Sequence, residues 1–465
     1  MQRAAGRGVA GRGQLDRQLE WGSFMYALYS AVLGLLLIVT LPYWLLQMLR
    51  HGKYRAGLKQ RLGVVPNGLR SLGGRPAIWV HAVSVGEVVA TSAVIEGLRE
   101  KFPAHRVLVS TTTSTGQKLA VKRFGAGNVF YFPLDFAFAV RPYVEAVRPE
   151  LCVIAETELW PNFFRLAKRV GSKIAVINCR ISDSSFPGYR RLRWWLPRVL
   201  ANVDLFLTQT EEDRQRLVEL GAEEARVRVA GNLKFDVAPP PVPAIVASLR
   251  TAFGDPGAEG AAWPILVCGS TLEDEEAPLL AAFHNILATH PKAVMMLAPR
   301  HPERFDEVAG LVEKLGFRMV RRSLWSGEPL AGSVFLLDSI GELSAIYSLA
   351  TVAFVGGSLV PRGGHNILEP ALYGVAIVTG NHYENFREIV NFFLGRNAVR
   401  VVGLAELPLV FIELIENRAE RETLGRNALA ALESQRGATA RTIEALMELM
   451  ERPADVSDGA NEGGS

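Results

Sequence analysis

From Pro76 onward the chain alternates strand-length apolar runs with helix-length amphipathic stretches, and it does so in two separate series. The first series is AIWVHAV and a helix from Glu87, RVLVSTT and one from Gly116, LCVIAE and one near Pro161, KIAVINC, then LFLTQ before a helix at Glu211. Strands that read as unbroken apolar runs are buried on both faces, and strands separated by helices must pair in parallel, so this rhythm predicts βαβ units. The segment DVAPPPVPA (236–244) then places four prolines where neither element can continue, and reads as a linker. Beyond it PILVCGS, AVMMLAP, SVFLLD, TVAFVGG, AIVTG and AVRVV form the second series. The expected architecture is α/β: two Rossmann-like domains facing a cleft, with ligands at the carboxyl ends of the strands.

A length of 465 residues accommodates two such domains at roughly 100–200 residues each. The first stretch departs from the rhythm. Residues 1–20 are rich in Gly and Arg and are expected to be flexible. Residues 21–49 then carry no charged side chain, and about 20 such residues cross a bilayer as a helix. Trp21, Tyr26 and Tyr29 at one end and Tyr43 and Trp44 at the other match interfacial aromatic belts, and Pro42 is expected to end or bend the helix. Arg50, Lys53, Arg55, Lys59 and Arg61 follow, which puts the larger part of the chain on the cytoplasmic side. The resulting division is a membrane-anchor helix at 21–49, a first Rossmann-like domain at 50–235, the linker, a second Rossmann-like domain at 245–452, and a disordered polar tail at 453–465.

A net charge of only +4, with no long basic run, argues against a nucleic-acid partner. Cys152, Cys179 and Cys268 each lie inside an apolar strand, so they read as core residues in a reducing compartment.

Five segments could carry chemistry. In HAVSVGE (81–87), Glu87 opens a helix just after a strand; Ser84 and Glu87 have the spacing of a capping box, and the same carboxylate at a cleft could take a proton. ETELWPN (156–162) sets Glu156 and Glu158 behind another strand, where an extended backbone would turn only one of them inward. GNLKFD (231–236) brings Lys234 to the end of the first domain, either solvated or stabilising a departing phosphate. APRHPERF (298–305) supplies Arg300, His301 and Arg304, a set suited to phosphate or simply a basic helix start. The most specific is GGSLVPRGGHNILEPALYG (356–374), whose glycines let a ligand approach the backbone and whose amides can bind an anion, with Glu369 placed for ribose hydroxyls. DSIGEL (338–343) adds a Gly turn, and EDEE (273–276) reads as acidic residues complementing a helix N-terminus. No D-x-D pair occurs, and the sequence predicts neither a metal nor a cofactor.

Taken in order, HAVSVGE, ETELWPN, NCRISDSSFPGY, GNLKFD, PRHPERF, GEL and GGSLVPRGGHNILEPA resemble the 3-deoxy-D-manno-octulosonic acid (Kdo) transferases, over about residues 24–430. The resemblance implies a GT-B fold and a lipid IV(A) Kdo transferase. The donor would be CMP-Kdo, the acceptor the glucosamine disaccharide of a lipid A precursor, and the location the cytoplasmic face of the inner membrane. It implies Glu87 as general base and Glu156 and Lys234 as transition-state stabilisers. It assigns CMP contacts to Pro299 and Arg300, to Gly341, Glu342 and Leu343, and to Asn366, Ile367, Leu368 and Glu369. One loop departs from the family pattern: GSTLEDEE has Leu272 and Asp274 where the family has His and Gly. Competing readings are a GT-B enzyme using a UDP-sugar, for lipid-linked N-acetylglucosamine transfer or epimerisation, and a non-catalytic membrane-tethered nucleotide-binding protein.

Overall fold

The computed structural model describes residues 7–51, 56–70, 74–237, 239–253 and 263–452. The flexibility expected for residues 1–6 and for the tail from 453, and the flanking charges Lys53 and Arg55, lie outside them.

The chain divides into two compact units, residues 1–236 with 437–465, and residues 237–436. The first is built on seven parallel strands: β1 (Ala77–His81), β2 (Arg106–Thr111), β3 (Val129–Tyr131), β4 (Leu151–Ala155), β5 (Lys173–Cys179), β6 (Leu205–Thr208) and β7 (Val227–Val229). Their order across the sheet is β3-β2-β1-β4-β5-β6-β7, so the chain starts in the middle, winds to one edge and returns to wind the other way from β4. One face packs Trp79, Phe130, Phe163, Phe164 and Phe206; the other packs Val80, Val94, Ile95 and Ile177.

The second unit holds β8 (Ile265–Thr271), β9 (Val294–Pro299), β10 (Arg318–Arg321), β11 (Ser333–Leu336), β12 (Val352–Val355), β13 (Ala376–Gly380) and β14 (Arg400–Val402), again all parallel. The order is β10-β11-β9-β8-β12-β13-β14, with the reversal between β8 and β12. Two sheets of this kind make the chain an α/β protein of GT-B type. The three strands that the apolar pattern did not reveal, β3, β7 and β10, are all short edge strands.

The boundary expected at residue 452 differs from the structure. Helix Ala438–Glu451 packs on the first sheet, where Ala438, Ala445, Leu446 and Leu449 join its core. Asp236 secures the return: the backbone N–H of Gly437 donates to its carboxylate at 2.7 Å, and that of Thr439 donates to its other oxygen. At the far end of the helix the Lys173 ammonium donates to the carbonyls of Leu449 and Met450, both at 2.8 Å, where the helix dipole favours a cation.

A long helix, Arg7–His51, lies ahead of the first sheet, followed by two short ones, Leu58–Arg61 and Asn67–Arg70. The long helix includes residues 7–20, for which the Gly- and Arg-rich composition predicts flexibility. Gln14 to Glu20 are mostly good helix formers, and lengthening an existing helix is far easier than starting one. It also continues through Pro42, because a proline inside a long apolar helix forfeits one backbone hydrogen bond while those around it persist. Phe24–Trp44 is long and apolar enough to cross a membrane, with a mean hydropathy of 2.2. The start of that segment docks on the first unit. Met25 and Tyr26 are buried, the Arg165 guanidinium lies 4.4 Å from the Tyr26 ring centroid, and the Asn162 amide donates to the Ser30 hydroxyl at 3.1 Å. Trp195 packs 5.6 Å from Tyr29.

Candidate functional site

In the first unit β1 and β4 lie side by side at the reversal of strand order, so the loops that follow them share one end of the sheet. Open parallel sheets bind ligands at such a place because the two loops diverge and leave a crevice. The loop after β1 enters helix Val85–Lys101, with Ser84 as N-cap. Glu87 sits in its first turn. The Val83 backbone N–H donates to one carboxylate oxygen at 2.8 Å and the Ser84 hydroxyl to the other at 2.9 Å. A capping box would return the Glu87 side chain to the N-cap backbone N–H; here it reaches Val83, one residue further back.

Glu87 is only 7% exposed. Burial raises its pKa to about 7, the negative charges of Glu156 and Glu158 push the same way, and the bonds from Val83 and Ser84 oppose them. A carboxylate poised there is partly ionised at neutral pH and still basic enough to accept a proton, as a general base requires. Both glutamates are near enough to act on Glu87, and the extended backbone that would turn only one of them inward is not what the structure has. Glu156 has a φ of 56°, in the left-handed region that a non-glycine residue rarely adopts, so the two-residue alternation of an extended chain is broken.

The Glu156 carboxylate lies 3.3 Å from the Lys234 ammonium, each side chain being about one-third exposed (35% and 37%). Lys234 is fixed from its backbone: it lies in the turn Leu233–Phe235, its N–H donates to the Asn232 side chain at 2.9 Å, and the Leu233 N–H donates to Asn178 at 3.0 Å. Glu87, Glu156, Glu158 and Lys234 thus form one group of three carboxylates and one ammonium.

In the second unit β8 and β12 are the neighbours at the reversal. Here Glu369 is the common neighbour of several predicted residues: it accepts hydrogen bonds from the Asn366 and Ser344 side chains, and Arg300 is close enough to lower its pKa against the larger effect of burial. Burial, Arg300 and His301 together hold the His365 imidazole down to about 4, so this ring is neutral at physiological pH. Arg300 follows β9, and its backbone N–H donates to the Thr271 carbonyl at 2.9 Å. Arg300, His301, Ser344, His365, Asn366 and Glu369 therefore meet at one place.

Other predicted residues occupy different roles. The Ile367 and Leu368 side chains are buried in the core, which leaves their backbone as the part able to touch a ligand. The Glu342 carboxylate is held by a two-pronged bond from Arg322, at 2.9 and 3.0 Å, and by the Ser339 hydroxyl. Gly341, at φ 91°, has open space where a side chain would be. Arg304, grouped with the phosphate-binding set in the sequence, is committed to Glu276 through two bonds at 2.7 and 3.1 Å and braces the helix that follows β8. Nor do the first amides of the glycine-rich loop wait for a ligand. Those of Gly357, Ser358 and Leu359 donate to the buried carboxylate of Glu275. The sequence reads Glu275 and Glu276 as helix-dipole partners; four and five residues beyond the end of β8, the fold buries both.

The family model for 3-Deoxy-D-manno-octulosonic-acid transferase (kdotransferase) matches residues 56–237. The chain is 33% identical over 410 residues to a 3-deoxy-D-manno-octulosonic acid transferase of Haemophilus influenzae, spanning 86% of this chain and 93% of that one. It is 35% identical over 381 residues to a transferase of the same description from Bordetella pertussis, spanning 79% and 86%. A crystal structure of a putative UDP-N-acetylglucosamine 2-epimerase from Listeria monocytogenes covers 82% of this chain and 99% of its own at a TM-score of 0.50 and 12% identity, a likeness of fold alone.

Proposed function

Because the chain belongs to the Kdo transferase family, and is a Kdo glycosyltransferase of lipopolysaccharide synthesis, we propose that it moves Kdo from CMP-Kdo to the glucosamine disaccharide of a lipid A precursor and releases CMP. The observation that carries the reading is the Glu87 carboxylate, buried and raised to about 7 beside the Glu156–Lys234 pair. As an acceptor hydroxyl attacks the anomeric carbon, its proton passes to Glu87, the bond from that carbon to the CMP phosphate oxygen breaks, and the electron pair leaves with CMP. The sugar ring gains oxocarbenium character while charge grows on the phosphate. A carboxylate at Glu156 and an ammonium at Lys234 have the two signs that such charge separation needs.

For the donor, Arg300 offers a fork of N–H donors to the phosphate, and Glu369, aligned by Asn366 and Ser344, offers a carboxylate to ribose hydroxyls. Pro299, the backbone of Gly341 to Leu343 and that of Ile367 and Leu368 complete the nucleotide contacts in this reading. The apolar helix from Phe24 to Trp44 supports attachment to a membrane, which in this reading is the inner membrane, with the catalytic units on its cytoplasmic side.

Incubation of the purified protein with a lipid A precursor and fresh CMP-Kdo, followed by mass spectrometry of the lipid, tests the reading. Addition of one or more Kdo masses is expected, with protection against thermal unfolding by CMP and not by UDP. A lipid that gains sugar only from a UDP-activated donor would overturn it.

A further inference from the structure

Glu275 has no part in the chemistry described so far, yet it is among the most completely engaged side chains in the second unit. It is 0% exposed, and four backbone N–H groups converge on it. Leu272 and Gly357 donate to one oxygen at 2.9 and 2.6 Å, and Ser358 and Leu359 to the other at 2.8 Å each. Three of the four come from the loop after β12, more than eighty residues further along the chain. Consecutive amides pointing into one concavity form the kind of cradle that elsewhere binds a phosphate. Here the chain fills it with its own carboxylate.

The loop has little freedom beyond this clamp. A side-chain carbon on Gly356 would meet the Ser270 carbonyl oxygen at 2.7 Å and Glu275 itself at 2.9 Å. The Gly380 N–H donates to the Ser358 hydroxyl at 2.8 Å and the His382 N–H to the Ser358 carbonyl at 2.9 Å. The chain then folds back: the Gly364 N–H donates to the Gly357 carbonyl at 2.7 Å, and the His365 ring lies where a side chain on Gly357 would be, 2.7 Å away. Asn366 and Glu369 follow directly. The order of transmission is thus Glu275 to the Gly357 amide, Gly357 to Gly364 and His365, and from these to the residues beside Arg300.

We propose that Glu275 is a positioning residue for the donor site, an internal anion that fills the amide cradle at the head of the glycine-rich loop and so fixes where His365, Asn366 and Glu369 stand. The inference rests on the reading of this unit as the CMP-Kdo site. Its consequence is that the donor's phosphate binds at Arg300 and not at the amides of Gly357 to Leu359.

Full-length wild type, Glu275→Ala, Glu275→Gln and Glu275→Asp proteins test it by calorimetric titration with CMP and by steady-state transfer from CMP-Kdo. Glu275→Ala is expected to weaken CMP binding and raise the KM for CMP-Kdo by about tenfold to a hundredfold, as a misplacement on the order of 1 Å does. Its kcat at saturating donor should stay within about threefold, the pattern of lost ground-state positioning. Formate, whose two oxygens can occupy the emptied cradle, should restore affinity in Glu275→Ala and not in Glu275→Gln, where the amide group fills the space. Glu275→Asp, which keeps the charge and withdraws it by one methylene, is the variant to use if Glu275→Ala does not fold, and weaker CMP binding is expected there too. A wild type that binds CMP while Glu275→Ala or Glu275→Asp binds it equally well overturns this inference alone. A wild type that binds no CMP overturns the donor reading and this inference with it.

Discussion

Each of the two sheets reverses its strand order beside its first strand, and each places a glutamate in the segment that follows that strand, Glu87 after β1 and Glu275 after β8. The environments then part. Glu87 accepts one backbone N–H and one hydroxyl, keeps a small opening to solvent, and stands near two other carboxylates that raise its proton affinity. Glu275 accepts four backbone N–H groups and is sealed from solvent. In the proposed reading the same topological position serves reaction in one unit and construction in the other. What decides is the number of donors that saturate the carboxylate, because an oxygen already accepting two amide bonds in a dry interior has little left to offer a substrate proton.

Substitution should separate the two roles. The largest effect is expected at Glu87: Glu87→Gln should lower the rate of Kdo transfer by about 10²–10⁴-fold, the usual contribution of a general base, while CMP affinity measured by calorimetry stays near that of the wild type. Next comes Glu275→Ala in denaturant unfolding. Stranding four buried donors at about 1–3 kcal/mol each should remove at least about 4 kcal/mol of stability from the second unit. Glu87→Gln should move stability the opposite way. The folded-state pKa of Glu87 is raised to about 7 from 4.5, so the native state holds its proton where the unfolded chain has lost it, and stability falls as pH rises between those values. The glutamine escapes that loss, so its advantage should be near zero at pH 4.5 and grow to at most about 3 kcal/mol above pH 7, since one unit is about 1.4 kcal/mol. The smallest effect belongs to Ser84→Ala. Loss of this N-cap should cost about 1 kcal/mol, and loss of its hydroxyl bond should shift the pH–rate break upward, because that bond lowers the Glu87 pKa. Equal stability changes at Glu87 and Glu275 would erase the contrast.

The central strands of both sheets are legible in the sequence because strands covered on both faces are apolar throughout. The edge strands β3, β7 and β10 are not: each has three or four residues, and RMVR and VRV place arginines in positions that look like loop. The return of helix Ala438–Glu451 is equally hidden, since an amphipathic pattern reveals an apolar face and not which sheet it covers. Glu87, Glu156 and Lys234 are visible because each lies in a recognisable motif beside a strand. The break in alternation between Glu156 and Glu158 depends on one left-handed residue, which no pattern of residue types announces. Glu275 and Arg304 are misread for another reason. Their partners Gly357 and Glu276 are set by which strands become neighbours, so the sequence shows charges beside a helix end where the fold has buried them.

In the proposed mechanism the ionised carboxylate of Glu87 accepts the proton in transfer. The pH dependence of kcat/KM for Kdo transfer, measured for wild type and Glu87→Gln with CMP affinity as the control, tests it most directly. The wild-type rate should rise about tenfold per pH unit up to a plateau above pH ~7, as for a base that must be deprotonated, and the residual activity of Glu87→Gln should lack that rise. A wild-type profile flat through pH ~7, or a Glu87→Gln enzyme that keeps the same rise, would contradict the assignment.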